Sequence, residues 1–95
     1  MALAFLQEFP SVTQEQYDQV VENLQRGDIT AERRLFHVAG PVEGGWRIVD
    51  VWESQEAFDT FLQKLGPVLQ QVGLGRPQLQ VWPVHNSLSG PENHL

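Results

Sequence analysis

The chain has 95 residues, a net charge of −6, no cysteine and a hydrophobic content of 41%. This length allows one domain, and the composition is that of a folded globular protein. Without cysteine there are no disulfides, thiolate metal sites or thiol nucleophiles. The negative charge argues against a nucleic acid partner, and no apolar run approaches the ~20 residues of a membrane span. We therefore expect a cytoplasmic protein that binds neither nucleic acid nor a membrane.

The first half of the chain predicts a strand followed by a helix. Residues 2–9 are mostly apolar and end at Pro10, and they lack the basic segment of a signal peptide. Thr13 is predicted to be the N-cap of the helix, because Gln16 completes a capping box. The apolar stripe of this helix comprises Tyr17, Val20, Val21 and Leu24. Gly27 is the predicted C-cap.

A hairpin is predicted next. Residues 34–39 form its first strand, residues 40–45 turn the chain back, and residues 46–53 are rich in β-branched and aromatic side chains. On this third strand, Val49 and Val51 project to one face, while Trp46, Ile48 and Trp52 project to the other. A single layer of helices covers only one face, so a second copy of the chain is expected to cover the other.

The remaining elements are a helix and a strand. Ser54 is the predicted N-cap of the second helix, and Gly66-Pro67 is predicted to interrupt it, because proline cannot donate the helical hydrogen bond. Residues 78–84 form the fourth strand. The order βαββαβ predicts a ferredoxin-like α+β fold, with a four-stranded antiparallel sheet and two helices on one face. Residues 1–86 form this single domain, and residues 87–95 form a loose polar tail.

The chain resembles the dimeric α/β-barrel superfamily, and within it the antibiotic-biosynthesis-monooxygenase-like proteins. The resemblance rests on the length, on the element order and on three segments, which are residues 45–54, residues 56–58 and residues 81–86. It implies a homodimer whose two sheets pack face to face, with a ligand cleft between sheet and helices in each subunit. Relatives include cofactor-independent monooxygenases, haem-degrading enzymes, isomerases, cyclases and many small proteins of unknown activity.

His37 and Asp50 are the candidate catalytic residues. They stand opposite each other, on one face, if the turn at 42–45 is a four-residue loop. A carboxylate beside an imidazole orients it and stabilises its protonated form, which suits a general base. The alternatives are a buried polar pair that only satisfies itself, or a register slip of one residue that separates the two side chains.

Candidate ligand-binding residues are aromatic or lie near the end of the last strand: Tyr17, Trp46, Trp52, Trp82, His85 and Asn86. The indoles suit a flat ligand, and a buried indole N–H is expected to find a partner. Packing remains the alternative for Tyr17 and for at least one indole, and a solvated strand end is the alternative for His85. The three histidines lack metal-ligand spacing, so we expect no metal and no cofactor. The resemblance leaves haem ligation through His37 or His85 open, since some relatives use an axial histidine, but no feature of this sequence indicates it.

Two functions of different class remain open. The first is a small cofactor-independent enzyme acting on a hydrophobic, aromatic or polyketide-like molecule by monooxygenase-type or proton-transfer chemistry, with His37 as proton acceptor and Asp50 as its orienter. The second is a non-catalytic homodimer that binds a small ligand or is associated with stress. Because a fold does not determine a function, the sequence alone does not separate the two.

Overall fold

Four strands and two helices follow one another along the chain in the predicted order βαββαβ. The structure, a computed structural model, describes residues 1–87. The elements are β1 (Leu3–Pro10), α1 (Gln14–Arg26), β2 (Arg34–Val42), β3 (Gly45–Trp52), α2 (Gln55–Val72) and β4 (Gln78–Pro83). Residues 88–95, which make up most of the predicted polar tail, lie outside the described residues.

The four strands form one antiparallel sheet in the order β2-β3-β1-β4. With two helices packed on the sheet, this arrangement confirms the predicted ferredoxin-like fold. One close backbone approach depends on a glycine. Gly45 pairs with Pro10, and a Cβ atom at this position would lie 2.3 Å from the carbonyl oxygen of Phe9. Any side chain at position 45 would therefore push β3 away from β1.

The helices cover one face of the sheet. Alternate residues of β1 and β3 point towards them and are buried in two adjoining clusters, one around Phe5 and Trp52 and the other around Phe9 and Trp46. The opposite face, here called the open face, carries Leu6, Phe36, Val38, Val49, Val51 and Trp82. Its side chains are incompletely covered, with Phe36 51% and Val38 50% exposed.

The predicted helix starts are confirmed by their caps. The Thr13 hydroxyl accepts from the Gln16 N–H at 3.2 Å, and the Gln16 side chain accepts from the Thr13 N–H at 3.0 Å. This reciprocal pair is the capping box that the sequence pattern indicates. The Ser54 hydroxyl caps α2 by accepting from the Ala57 N–H at 3.1 Å.

The predicted interruption at Gly66-Pro67 is wrong. Helix α2 continues through Pro67 to Val72. Proline removes one backbone hydrogen bond, but the next two residues, Val68 and Leu69, are 5% and 7% exposed and belong to the cluster around Trp46. Burial of these two side chains offsets the lost bond, because each contributes roughly 1.5–3 kcal/mol relative to exposure.

Among residues 1–87, no helix combines the length and the apolar character that a membrane-spanning segment requires.

Candidate active site

A cavity of about 320 Å³ lies between the sheet and the helices. Most of its wall is apolar and comes from both buried clusters, with Phe9, Val20, Leu24 and Phe61 among the lining residues. A few polar side chains also line this space: Gln7, Tyr17, Gln25, Arg34, His37 and Asp50. Apolar walls with a few converging polar groups are typical of small-molecule sites.

The pairing register brings His37 and Asp50 together. His37 of β2 stands opposite Asp50 of β3, since the hairpin turns through Glu43 and Gly44 with Val42 opposite Gly45. The His37 Nδ1 and the Asp50 Oδ1 are 2.5 Å apart. The Asp50 side chain is 6% exposed and that of His37 27% exposed, so the pair lies partly shielded beneath the helices.

Two more side chains extend this pair into a network. The Gln7 amide donates to Asp50 Oδ2 at 3.2 Å, and the Tyr17 hydroxyl lies 2.7 Å from His37 Nε2. An ionised carboxylate only accepts hydrogen bonds, so the proton of a neutral imidazole belongs on Nδ1. The Nε2 atom then accepts from the Tyr17 hydroxyl. The result is a directed chain from Tyr17 through His37 to Asp50.

Tyr17 is held by stacking as well as by this hydrogen bond. Its ring lies 5.1 Å from the Trp46 ring and 6.3 Å from the His37 ring, centroid to centroid. Burial raises the pKa of Tyr17 above its ordinary value; the charges of Asp50 and Asp18 also raise it, and Arg34 opposes the shift. The phenol is therefore protonated at neutral pH and can donate to the imidazole.

Arg34 also lines the cavity, although no motif in the sequence marks it as a candidate site residue. The register shifts between Arg34 and Phe36, so that β2 carries one more residue than β3 over this span. Without that bulge, residues 34 and 37 would point to opposite faces, because side chains alternate along a strand. With it, Arg34 stands opposite Trp52 and His37 opposite Asp50, both on the helix-covered face. No pattern in the sequence marks the bulge.

The predicted ligand-binding residues divide into two groups. Tyr17 and Trp46 line the cavity, whereas Trp52, Trp82, His85 and Asn86 do not. Trp52 is fully buried against Phe58 and Phe61. Trp82 belongs to the open face and is 44% exposed, while His85 and Asn86 are exposed after β4. The structure therefore brings together His37, Asp50, Tyr17 and Trp46.

The buried indoles differ from expectation in one respect. The Nε1 atoms of Trp46 and Trp52 are buried, and neither has a hydrogen-bond partner within residues 1–87. Buried indole N–H groups usually find an acceptor. Here the two indoles are held by packing, since both belong to the apolar clusters of the core.

Both ring nitrogens of His37 are engaged in hydrogen bonds. Nδ1 faces Asp50 and Nε2 faces Tyr17, so metal or haem ligation by His37 would require breaking one of these bonds. In the described part of the chain, no three His, Cys, Asp or Glu side chains come together as a metal site would require.

Comparison with known proteins identifies the fold. No family model matches the chain, and no curated protein matches it in sequence. Solved structures do match. A variant of SnoaB, a cofactor-independent oxygenase from Streptomyces nogalater, superimposes with a TM-score of 0.67 at 14% identity over 96% of this chain and 98% of that one.

Two further structures show the same architecture. A Chloroflexus aurantiacus protein proposed to be an antibiotic biosynthesis monooxygenase has a TM-score of 0.64 and 16% identity, over 95% of this chain and all of its own. A dimeric ferredoxin-like protein of unknown function from Thermobifida fusca has a TM-score of 0.62 and 14% identity, over 88% and 92% of the two chains. This chain thus has the ferredoxin-like fold of antibiotic-biosynthesis-monooxygenase-like proteins, which the sequence resemblance predicted.

Proposed function

We propose that this protein is a cofactor-independent enzyme that removes a proton from an aromatic molecule held in the cavity. The observation that carries the proposal is the chain of hydrogen bonds from Tyr17 through His37 to Asp50 at the cavity wall. A purely structural polar pair does not require the third member, Tyr17, which lies beside the open volume. The likeness to a cofactor-independent oxygenase is consistent with this chemistry.

The proton moves by relay. The Tyr17 oxygen accepts a proton from the substrate while its own proton passes to His37 Nε2, 2.7 Å away. The imidazolium that forms lies beside the Asp50 carboxylate, which stabilises its charge, and the Gln7 amide holds the second carboxylate oxygen. Positioned acid–base groups of this kind contribute about 10²–10⁴-fold to a rate. Asp50 and Gln7 are positioning residues, since they act through the imidazole.

The product of this step is a carbanion in an apolar cavity. If its carbon is electron-rich, it adds to dioxygen and forms a peroxide anion. That anion takes back the proton held at His37, and loss of water then leaves a ketone. The whole reaction converts a CH₂ group and dioxygen into a C=O group and water, so dioxygen is the only oxidant required. The protein supplies orientation, deprotonation and exclusion of bulk water.

Anthrone is a suitable probe, because it is an apolar aromatic ketone with an acidic CH₂ group. We expect oxygen uptake and anthraquinone formation above the spontaneous rate. His37→Ala should lower kcat by about 10²–10⁴-fold with KM nearly unchanged, and Asp50→Asn should lower it less. Asp59→Asn, at an exposed position of α2, is the matched control for the carboxylate change. If His37→Ala lowers binding and turnover equally, His37 has a binding role only.

We also propose that the protein is a homodimer joined through the open face. The support is the half-exposed apolar side chains of that face, together with the dimeric state of the Thermobifida protein. Sedimentation equilibrium should give a species near twice 10.8 kDa. Val38→Glu should yield the monomer, because a buried interfacial charge is costly, whereas Leu62→Glu on exposed α2 surface should not. A wild-type monomer at low micromolar concentration would contradict the proposal.

A further inference from the structure

One cation faces the apolar cavity. The sequence has six lysine and arginine residues, and within residues 1–87 Arg34 is the one that lines the cavity. Its position depends on the bulge in β2, which turns it onto the same face as His37. A bulge that redirects a side chain is common beside active sites.

The Arg34 guanidinium is held by aromatic rings and not by a carboxylate. Its central carbon lies 5.9 Å from the centroid of the Trp52 ring and 5.9 Å from that of Phe61. The described residues provide neither an ion pair nor a hydrogen bond to this side chain, and the nearby Asp50 carboxylate is already bound by His37 and Gln7. A guanidinium resting on rings keeps N–H donors at its edge.

An unpaired cation in an apolar cavity attracts an anion. Arginine is charged at all physiological pH values, and its planar fork matches the two oxygens of a carboxylate. The rest of the cavity wall, including Phe9, Val20 and Leu24, suits a ring system. The chain carries a net charge of −6, so this local positive site stands out from the general charge of the protein.

We propose that the ligand of this cavity is an aromatic carboxylic acid whose carboxylate binds Arg34 while its rings pack against the apolar wall. The inference rests on the proposed function, since it takes the cavity as the substrate site, and it adds the charge and the chemical class of the substrate. The carboxylate end lies at Arg34, and the acidic C–H group lies within reach of Tyr17.

The test compares 2-naphthoate with 2-naphthamide, which share a ring system and differ in charge. At pH 7 the wild-type protein should bind the naphthoate at least about tenfold more tightly, since a hydrogen bond to a charged group contributes on this scale. Arg34→Gln should weaken naphthoate binding by about 10–100-fold and leave naphthamide binding nearly unchanged. Arg33→Gln, at the adjacent exposed position, removes the same charge and should preserve the preference. Arg34→Lys should retain part of it, and serves if Arg34→Gln fails to fold.

The indole N–H signals in a ¹⁵N–¹H spectrum locate the bound probe. Trp46 lines the cavity, whereas Trp82 lies on the open face, so cavity binding should move the Trp46 signal. Equal affinity for the two probes, or a preference that survives Arg34→Gln, overturns the inference. The proposed function is not affected by that result, because the anthrone assay tests it separately. A probe that moves only the Trp82 signal also overturns it, because the cavity is then not the binding site.

Discussion

The pairing of His37 with Asp50 should be visible as a strong non-additivity in stability. In His37→Leu, the buried Asp50 carboxylate keeps the Gln7 hydrogen bond but loses the imidazole 2.5 Å away. A hydrogen bond to a charged group is worth about 1.5–3 kcal/mol, and breaking a fully buried ion pair costs about 3–5 kcal/mol. The His37 side chain is 27% exposed, so the pair is not fully buried and the cost lies below the upper end of that range. We therefore expect a loss of about 2–3 kcal/mol.

The double variant His37→Leu, Asp50→Asn should lose less stability than the sum of the two single variants. The asparagine oxygen still accepts from the Gln7 amide, and no unpaired charge remains in the core. We expect a coupling free energy of about 1–2 kcal/mol, within the range for contacting residues. For a domain of this size, each kcal/mol corresponds to about 4–8 °C in Tm.

Urea unfolding, followed by tryptophan fluorescence at one protein concentration, measures all four members of this cycle. The pair Glu22–Arg26 on α1 is the matched control, since it is an ion pair whose side chains are 56% and 72% exposed and which lies away from the open face. Its cycle should give only about 0.2–1 kcal/mol. If the free energies for His37 and Asp50 add within about 0.5 kcal/mol, the carboxylate does not depend on the imidazole and the reasoning fails.

Three further predictions concern single residues. Tyr17 is the only tyrosine and its pKa is raised above 10.0, so phenolate absorbance should appear at higher pH in the folded than in the unfolded protein. Its contribution to stability is complete below pH 10.0 and is lost as the pH rises through the folded-state pKa; a folded midpoint at or below the unfolded one contradicts this. Trp52→Ala should cost about 3–5 kcal/mol, against about 1 kcal/mol or less for Leu62→Ala on exposed α2 surface; an unchanged Tm would show that Trp52 is not a core residue. Ser54→Ala should cost about 0.5–2 kcal/mol through loss of the α2 cap, measured by the same urea unfolding, and a Ser54→Thr variant that fails to restore most of this loss would argue against capping.

The local signals in the sequence were sufficient for the fold. The caps at Thr13 and Ser54 are hydrogen bonds between residues three positions apart, so a short sequence pattern is enough to predict them. The same holds for the hairpin, where one turn sets the register that brings His37 opposite Asp50. Pro67 shows the limit of this reasoning. Its local preference ends a helix, yet burial of the residues after it sustains the helix, and burial is a property of the packed structure.

The rest of the candidate site depends on contacts between distant parts of the chain. Tyr17 was predicted both as a residue of the apolar stripe and as a candidate ligand-binding residue, and only the packing of α1 on the sheet brings its hydroxyl to His37. Gln7 joins the network because β1 pairs with β3 on the side away from the hairpin. Arg34 faces the cavity because of one unpaired residue in β2. The sequence by itself therefore determined the elements and their order, since these follow from local patterns. It offered the His37–Asp50 pair as one of two registers, and the observed strand pairing selects it. The tertiary structure alone decided which side chains line the cavity and that Arg34 is among them, because alternation along a strand says nothing about where a bulge reverses it.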